Sequence, residues 1–393
     1  MHSEIHPTIL PKRHSPSVTR PDGVPVPVWR VCRHPAPESG VIVDVRTLFA
    51  YAGPAAVRPW RLTRVQTSTS SGDHDELPAE LLEQILTCQN AADLADRPGD
   101  PPTSRAELRS LLAPPYRGRR FVHLAHDHYG RLLGYARLGI YTAFHKELAH
   151  GAITVHPAAR RHGVGSALLG ALASAAATNG RARLVLDGPR NAATEAFARS
   201  RHLCVGGCDL RSRLDLASIA LHARLATEIP PQRHEPDGHL LPLRWAGACP
   251  EYLVDALLTT LDSLHADPAD PSVTPFTEAE VRHREYAAWT AGLREYTACL
   301  LDPSTGRMAA LSTAHTADGV RGEQNETVVV PEYRGRGLAI RVKAYLVREL
   351  LTAEPGLRIL DTYNAIGNAR MLAVNRNLGF EPVDTHAAWT MAL

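Results

Sequence analysis

Val155-His-Pro-Ala-Ala-Arg-Arg-His-Gly-Val-Gly165 and Val329-Val-Pro-Glu-Tyr-Arg-Gly-Arg-Gly-Leu-Ala339 are two versions of one pattern. Each leads from an apolar strand through proline into Arg-x-x-Gly-x-(Gly/Ala) and then a long apolar helix. Val155 and Val329, Pro157 and Pro331, Arg160 and Arg334, and Gly163 and Gly337 all stand 174 residues apart. Asp187 and Asp361 keep the same offset at the end of the next strand. A spacing held from loop to strand end reads as a tandem duplication of one module of about 170 residues. Within the pattern, residues without bulky side chains let successive backbone N–H groups face a ligand at the first turn of a helix. Those donors lack intrahelical acceptors and sit at the positive end of the helix dipole, which suits a diphosphate. The dinucleotide fingerprint GxGxxG is not met, because Leu168 holds its third glycine position, and the Gly-Lys-Ser/Thr ending of a phosphate loop is absent.

Working outward, the same order of elements is expected twice. In the first copy, RPWRLTRVQ reads as a strand, 76–88 as a helix, and 104–113 as a second helix capped by Ser104. A hairpin turning at DHYG follows, then strand, motif helix, strand ARLVLDG, helix NAATEAFARS and a last strand pair around LCVGGCDLRSRLDL. In the second copy LLPLRW, YLVDALLTTLDSL, the Thr277/Glu280 capping box, a hairpin at DPSTG and NETVVVP precede the motif helix, and LRILDTY, NARMLAVNRN and FEPVDTHAAWTMAL follow it. Four segments result. Residues 1–57 are a flexible or loosely docked extension, 58–227 the first domain, 228–239 a Pro/His-rich linker, and 240–393 the second domain.

Composition narrows the function classes. The chain has 393 residues, 44% hydrophobic and 21% charged, with a formal net charge of +2. That balance argues against a partner bound through phosphate backbones. No run of about 18 apolar residues is present to span a bilayer, and the first residues lack the apolar core of a secretory signal. Six cysteines are too sparse for a disulfide scaffold and too scattered for a zinc site, so a reducing cytoplasm is expected. His123 and His126 would face opposite sides of a strand and His128 lies in a turn, so no metal is expected.

The repeated motif, with Q-N-E-T-V-V-V-P-E-Y-R-G-R-G-L-A and D-T-Y-N-A-I-G-N-A-R-M-L-A-V-N-R-N-L-G-F around its second copy, resembles the GNAT-type N-acetyltransferase superfamily. The arrangement is similar to that of two-domain actinobacterial, mycothiol-synthase-like members. The resemblance covers roughly 58–393. It implies an α+β fold of two tandem GNAT-like domains, each a mixed, mostly antiparallel sheet flanked by helices. It also implies acetyl-CoA as co-substrate and direct transfer to the amine of a small metabolite. By resemblance, Val329 and Val330 pair with the pantetheine, and Arg334, Gly335, Arg336, Gly337, Leu338 and Ala339 meet the diphosphate, with Asn364 and Asn368 nearby. The first-copy counterparts are Val155, His156, Arg160, Arg161, His162, Gly163, Val164, Gly165 and Ser166.

The two copies differ where chemistry would occur. Glu326 stands opposite Ala152 at the common offset, and reads either as a general base or as a solvated strand-edge carboxylate, with Glu323 its rival. The family's thiolate-side tyrosine is replaced by Asn375 in the second copy and by Ala198 in the first. Asn375 is therefore expected to contact cofactor or substrate, with water giving the proton. Thr362, Tyr363 and Asn364 are placed to line the substrate channel, Asn364 equally to cap a helix. The second copy is thus the expected catalytic one. A donor other than acetyl-CoA, and a purely acyl-CoA-binding role, remain alternatives, as do monomer and homodimer.

Overall fold

A computed structural model describes residues 60–68, 77–116, 118–141, 146–227, 239–263, 275–317 and 319–393. The expected extension at 1–57 and nearly all of the expected linker lie outside the described residues. The first half runs β1 (Trp60–Ser68), α1 (Ala79–Asp96), α2 (Arg105–Leu112), β2 (Gly118–Asp127), β3 (Leu132–Tyr141), β4 (Leu148–Val155), α3 (Val164–Thr178), β5 (Arg183–Pro189), α4 (Ala192–Ser200), β6 (Cys204–Asp215) and α5 (Ile219–Thr227). The second runs β7 (Leu241–Ala246), α6 (Val254–Asp262), α7 (Glu278–Ala291), β8 (Arg294–Asp302), β9 (Arg307–Thr316), β10 (Arg321–Val329), α8 (Leu338–Ala353), β11 (Ile359–Ala365), α9 (Ala369–Leu378) and β12 (Glu381–Ala392). Ser104 and Glu107 complete a capping box on α2, and Thr277 accepts the Glu280 N–H at the start of α7.

All twelve strands join one sheet in the order β1-β2-β3-β4-β5-β12-β6-β11-β10-β9-β8-β7. The closing strands are exchanged between the halves. β12 leaves the second half to pair with β5, from His386↔Pro189 to Ala392↔Arg183, while β6 of the first half pairs with β11, from Ile359↔Asp215 to Ala365↔Asp209. Where the sequence suggested a strand pair around residues 203–216, the structure has the single strand β6, and its expected partner is β12. The exchange leaves neither half with an open edge at the junction.

The cores follow the exchange. Ala387 and Trp389 of β12 pack in the first core with Leu168, Leu172 and Leu186. Leu214, Leu216, Leu221 and Leu225 pack in the second core with Val342, Leu346 and Phe380. Ion pairs reinforce the seam. Arg211 of β6, almost wholly buried, reaches Asp100 from the first half and Asp361 and Asp384 from the second, at 2.5, 3.3 and 2.6 Å. Arg321 of β10 reaches Glu107 of α2 at 2.7 Å.

Register corrects one expected equivalence. A bulge between Gln324 and Thr327 adds a residue to β10, whereas β3 and β4 pair without interruption from Gly134↔Val155 to Gly139↔His150. Ahead of the bulge, Gln324 lies opposite Thr362 as Gly151 lies opposite Leu186. Asp187 therefore corresponds to Tyr363, and Asp361 to Val185.

Candidate active site

The two helix openings are built alike. Gly163 (φ 81°) caps α3 and Gly337 (φ 72°) caps α8. Two residues earlier the loop again turns left-handed, at Gly335 (φ 80°) in the second half and at Arg161 (φ 67°) in the first. The backbone asks for glycine there, and the first half meets the requirement with a strained arginine. A Cβ at Gly163, Gly335 or Gly337 would meet nothing within 4 Å, so the loop leading into each helix is uncrowded, and the first amides are those of Val164, Gly165 and Ser166, and of Leu338, Ala339 and Ile340. Those N–H groups have no intrahelical acceptor, which makes each opening fit a diphosphate.

Around the openings the halves differ. Arg160 is held by Asp96 of α1 through two bonds of 2.7 and 2.8 Å and also donates to the Val155 carbonyl. Arg334 donates to the Val329 carbonyl in the same way. Arg336 lies over the Tyr333 ring and donates to the Glu332 carbonyl. His162 is hydrogen-bonded to the Arg160 carbonyl.

Parallel pairing of β10 with β11 ends at Gln324↔Thr362, and that of β4 with β5 ends at Gly151↔Leu186. Beyond these points each sheet splays, so Val329 and Val155 have no strand partner on that side, and their carbonyls accept from Arg334 and Arg160. Val330 and His156, the residues that follow, are turned the other way. Their N–H groups turn inward to the carbonyls of Ala309 and Leu133.

On one face at the second splay, Glu295 of β8, His315 of β9, Glu323 of β10 and Asp361 of β11 stand in register. Burial pushes the carboxyls of Glu323 and Glu295 up to about 7. Glu326, at the bulge, has both oxygens engaged. One accepts from Arg284 of α7 at 2.8 Å and the other from the Thr313 hydroxyl at 2.8 Å. Burial alone would raise its carboxyl, but the Arg284 charge and these bonds hold it below the ordinary range. His315 is hydrogen-bonded to Asn325 at 3.0 Å, and burial lowers its pKa.

Asn375 is almost fully buried in α9. It donates to the Asn364 side chain at 2.6 Å and accepts from the Lys343 ammonium of α8. Lys343 also lies over the Phe380 ring at 5.2 Å, and burial lowers its pKa to about 7. Asn368 is occupied as the N-cap of α9, accepting from Met371 N–H at 3.1 Å.

Sequence reading did not single out Lys343, Glu295 or Arg284. Lys343 carried a signal: it is one of three lysines, set in the apolar stripe of the motif helix. The other two depend on register and on α7 docking. Among the described residues no group of three or more His, Cys, Asp or Glu could hold a metal ion, and no helix is long and apolar enough to cross a membrane.

Residues 83–202 match the model of the acetyltransferase (GNAT) family. No curated protein matches the sequence. Among solved structures, the chain is similar to a tandem GNAT protein from the clavulanic acid biosynthesis pathway, solved without acetyl-CoA. The TM-score is 0.66 at 23% identity, over 84% of this chain and 98% of that one. It is also similar to a GCN5-related N-acetyltransferase from Sphaerobacter thermophilus, with a TM-score of 0.56 at 15% identity, over 84% of this chain and 95% of that one.

Proposed function

We propose a finer reading than acyl transfer in general, supported by the GNAT-family match over residues 83–202 and by the likeness to a tandem GNAT fold. The protein transfers an acetyl group from acetyl-CoA directly to the amine of a small metabolite, in its second half. The observation that carries this reading is Glu323, a carboxyl tuned to about 7 where β10 and β11 part, on the strand that leads to the Gly337 opening.

In this reading the diphosphate rests on the amides of Gly337, Leu338 and Ala339, flanked by Arg334, Gly335 and Arg336. The pantetheine pairs along Val329. The amine nitrogen attacks the thioester carbonyl carbon while Glu323 takes its proton, a base whose pKa near the working pH suits the task. The bulge at Gln324–Thr327 takes Asn325 and Glu326 out of the β9 ladder; the Glu326 N–H is taken up by the Thr313 hydroxyl, which leaves the Asn325 N–H as the donor assigned to the developing oxyanion. The C–S bond then breaks and the thiolate takes a proton from water. The Asn364–Asn375–Lys343 chain lends a nearby positive charge. The Arg284 charge holds the Glu326 carboxyl below the ordinary range, a poor match for a base near neutral pH, so Glu326 is assigned to fixing Arg284 and the bulge and the base to Glu323.

The first half fits a binding role. Ala152, Leu169 and Ala198 stand where the second half has Glu326, Lys343 and Asn375, so neither the carboxylate nor the buried ammonium is present there. The test is free-thiol release from acetyl-CoA across a panel of small amines. Amine-dependent release supports the reading. Coenzyme A binding without release from any amine refutes the catalytic assignment and leaves a binding module.

A further inference from the structure

The register that equates the two halves exposes an inversion of charge. Glu295 corresponds to Arg120 (opposite Gly139 as Glu295 is opposite His315), Glu323 to His150, and Thr313 to Arg137. The acidic row of the second half is a basic cluster in the first. We propose that this cluster is a binding site for the carboxylate or phosphate of a small anionic ligand, held by Arg120 and Arg137 beside His150.

Arg120 is 8% exposed. Its Nε donates to the Ala113 carbonyl at the end of α2, and its Nη1 lies 3.0 Å from where a Gly139 Cβ would stand. The missing side chain at Gly139 lets the guanidinium cross β3 toward β4, where His150 meets the Tyr141 ring edge-on at 5.9 Å. Among the described residues neither Arg120 nor Arg137 has a carboxylate hydrogen-bond or ion-pair partner, and the only side-chain bond of Arg120 is to the Ala113 carbonyl. Burial and the Arg137 charge lower the Arg120 pKa to about 10. Two guanidiniums placed together in a desolvated site repel each other, and an anion between them removes that cost and forms charge-assisted bonds. The other titratable groups facing the cluster are Tyr141 of β3, Asp187 of β5 and Asp209 of β6. Burial pushes the Asp187 carboxyl up, against the pull of His150 and Arg137. A site of this kind rejects the cationic amines that the acidic row of the second half would admit.

The test is calorimetric titration of the full chain at pH 7 and constant ionic strength, with succinate and with inorganic phosphate as probes and chloride as control. The expected result is saturable binding of one probe at one site per chain. The probe that binds identifies the headgroup. Arg137→Gln, at a half-exposed position, should weaken it at least tenfold, while Glu323→Gln leaves it unchanged. Arg120→Lys, which keeps the charge but loses the paired donors, should also weaken it. Binding of neither probe above chloride overturns the proposal. So does binding that Arg137→Gln does not alter, which would place the anion at a helix opening instead. The outcome does not depend on whether the second half is catalytic.

Discussion

Lys343 gives the sharpest physical prediction. Its ammonium is buried against Phe380 and Asn375 with no carboxylate partner among the described residues, and its pKa falls from 10.5 to about 7. At about 1.4 kcal/mol per pKa unit, the folded state bears on the order of 4–5 kcal/mol of charge cost at pH 7. The unfolded chain binds the proton more tightly, so this cost shrinks as pH rises from about 7 toward 10.5, and stability gains with pH over that window. Lys343→Met keeps the volume and removes the charge, but leaves the Asn375 side-chain oxygen without its donor, a loss of about 1–3 kcal/mol. The variant should therefore be more stable than the parent by about 2 kcal/mol at pH 7, and lose that advantage by pH 10. Urea unfolding of both proteins at the two pH values measures this. Changes in other ionisable groups cancel in the difference. Parallel stability curves for the two proteins would refute the reasoning, because they would mean that Lys343 is not destabilised by burial.

Other predictions follow from the same structure. Glu323→Gln should lower kcat/KM by about 10²–10⁴-fold and abolish a limb that rises with pH through about 7, as seen in pH–rate profiles. Glu326→Gln should instead leave that limb in place, since its carboxyl is already ionised below the ordinary range. Trp389→Ala should cost about 3–5 kcal/mol, and the loss should appear in the first half's amide exchange although the residue lies in the second repeat. Gly335→Ala places a Cβ at φ 80° and should cost about 1–2 kcal/mol in thermal unfolding.

The repeat and the helix openings were legible in the sequence because both rest on local chemistry. Glycine at the left-handed positions 163, 335 and 337, apolar period, and caps such as Ser104 leave their mark on nearest neighbours. The exchange of β6 and β12 was not legible. A strand's own residues do not say which of two equivalent sheets it will join, and the deciding contacts, Trp389 on one side and Leu214 on the other, are far apart in the chain. The bulge in β10 was hidden for a related reason. The bulge brings the motifs to their common offset, but α8 and its exit loop then carry two more residues than α3 and its exit loop, so the shared offset of Asp187 and Asp361 was coincidental. Site residues on β10 were therefore visible as candidates, while their tuning by Arg284, Thr313 and Lys343 needed the packed structure.

The most direct test of the account is acetyl-CoA-dependent thiol release, with an accepted amine, from two variants that carry the same lesion in opposite halves. Gly337→Glu and Gly163→Glu each place a negative side chain at a left-handed helix opening. The account predicts that Gly337→Glu abolishes release and that Gly163→Glu retains it. Loss of release in Gly163→Glu with full activity in Gly337→Glu would contradict it.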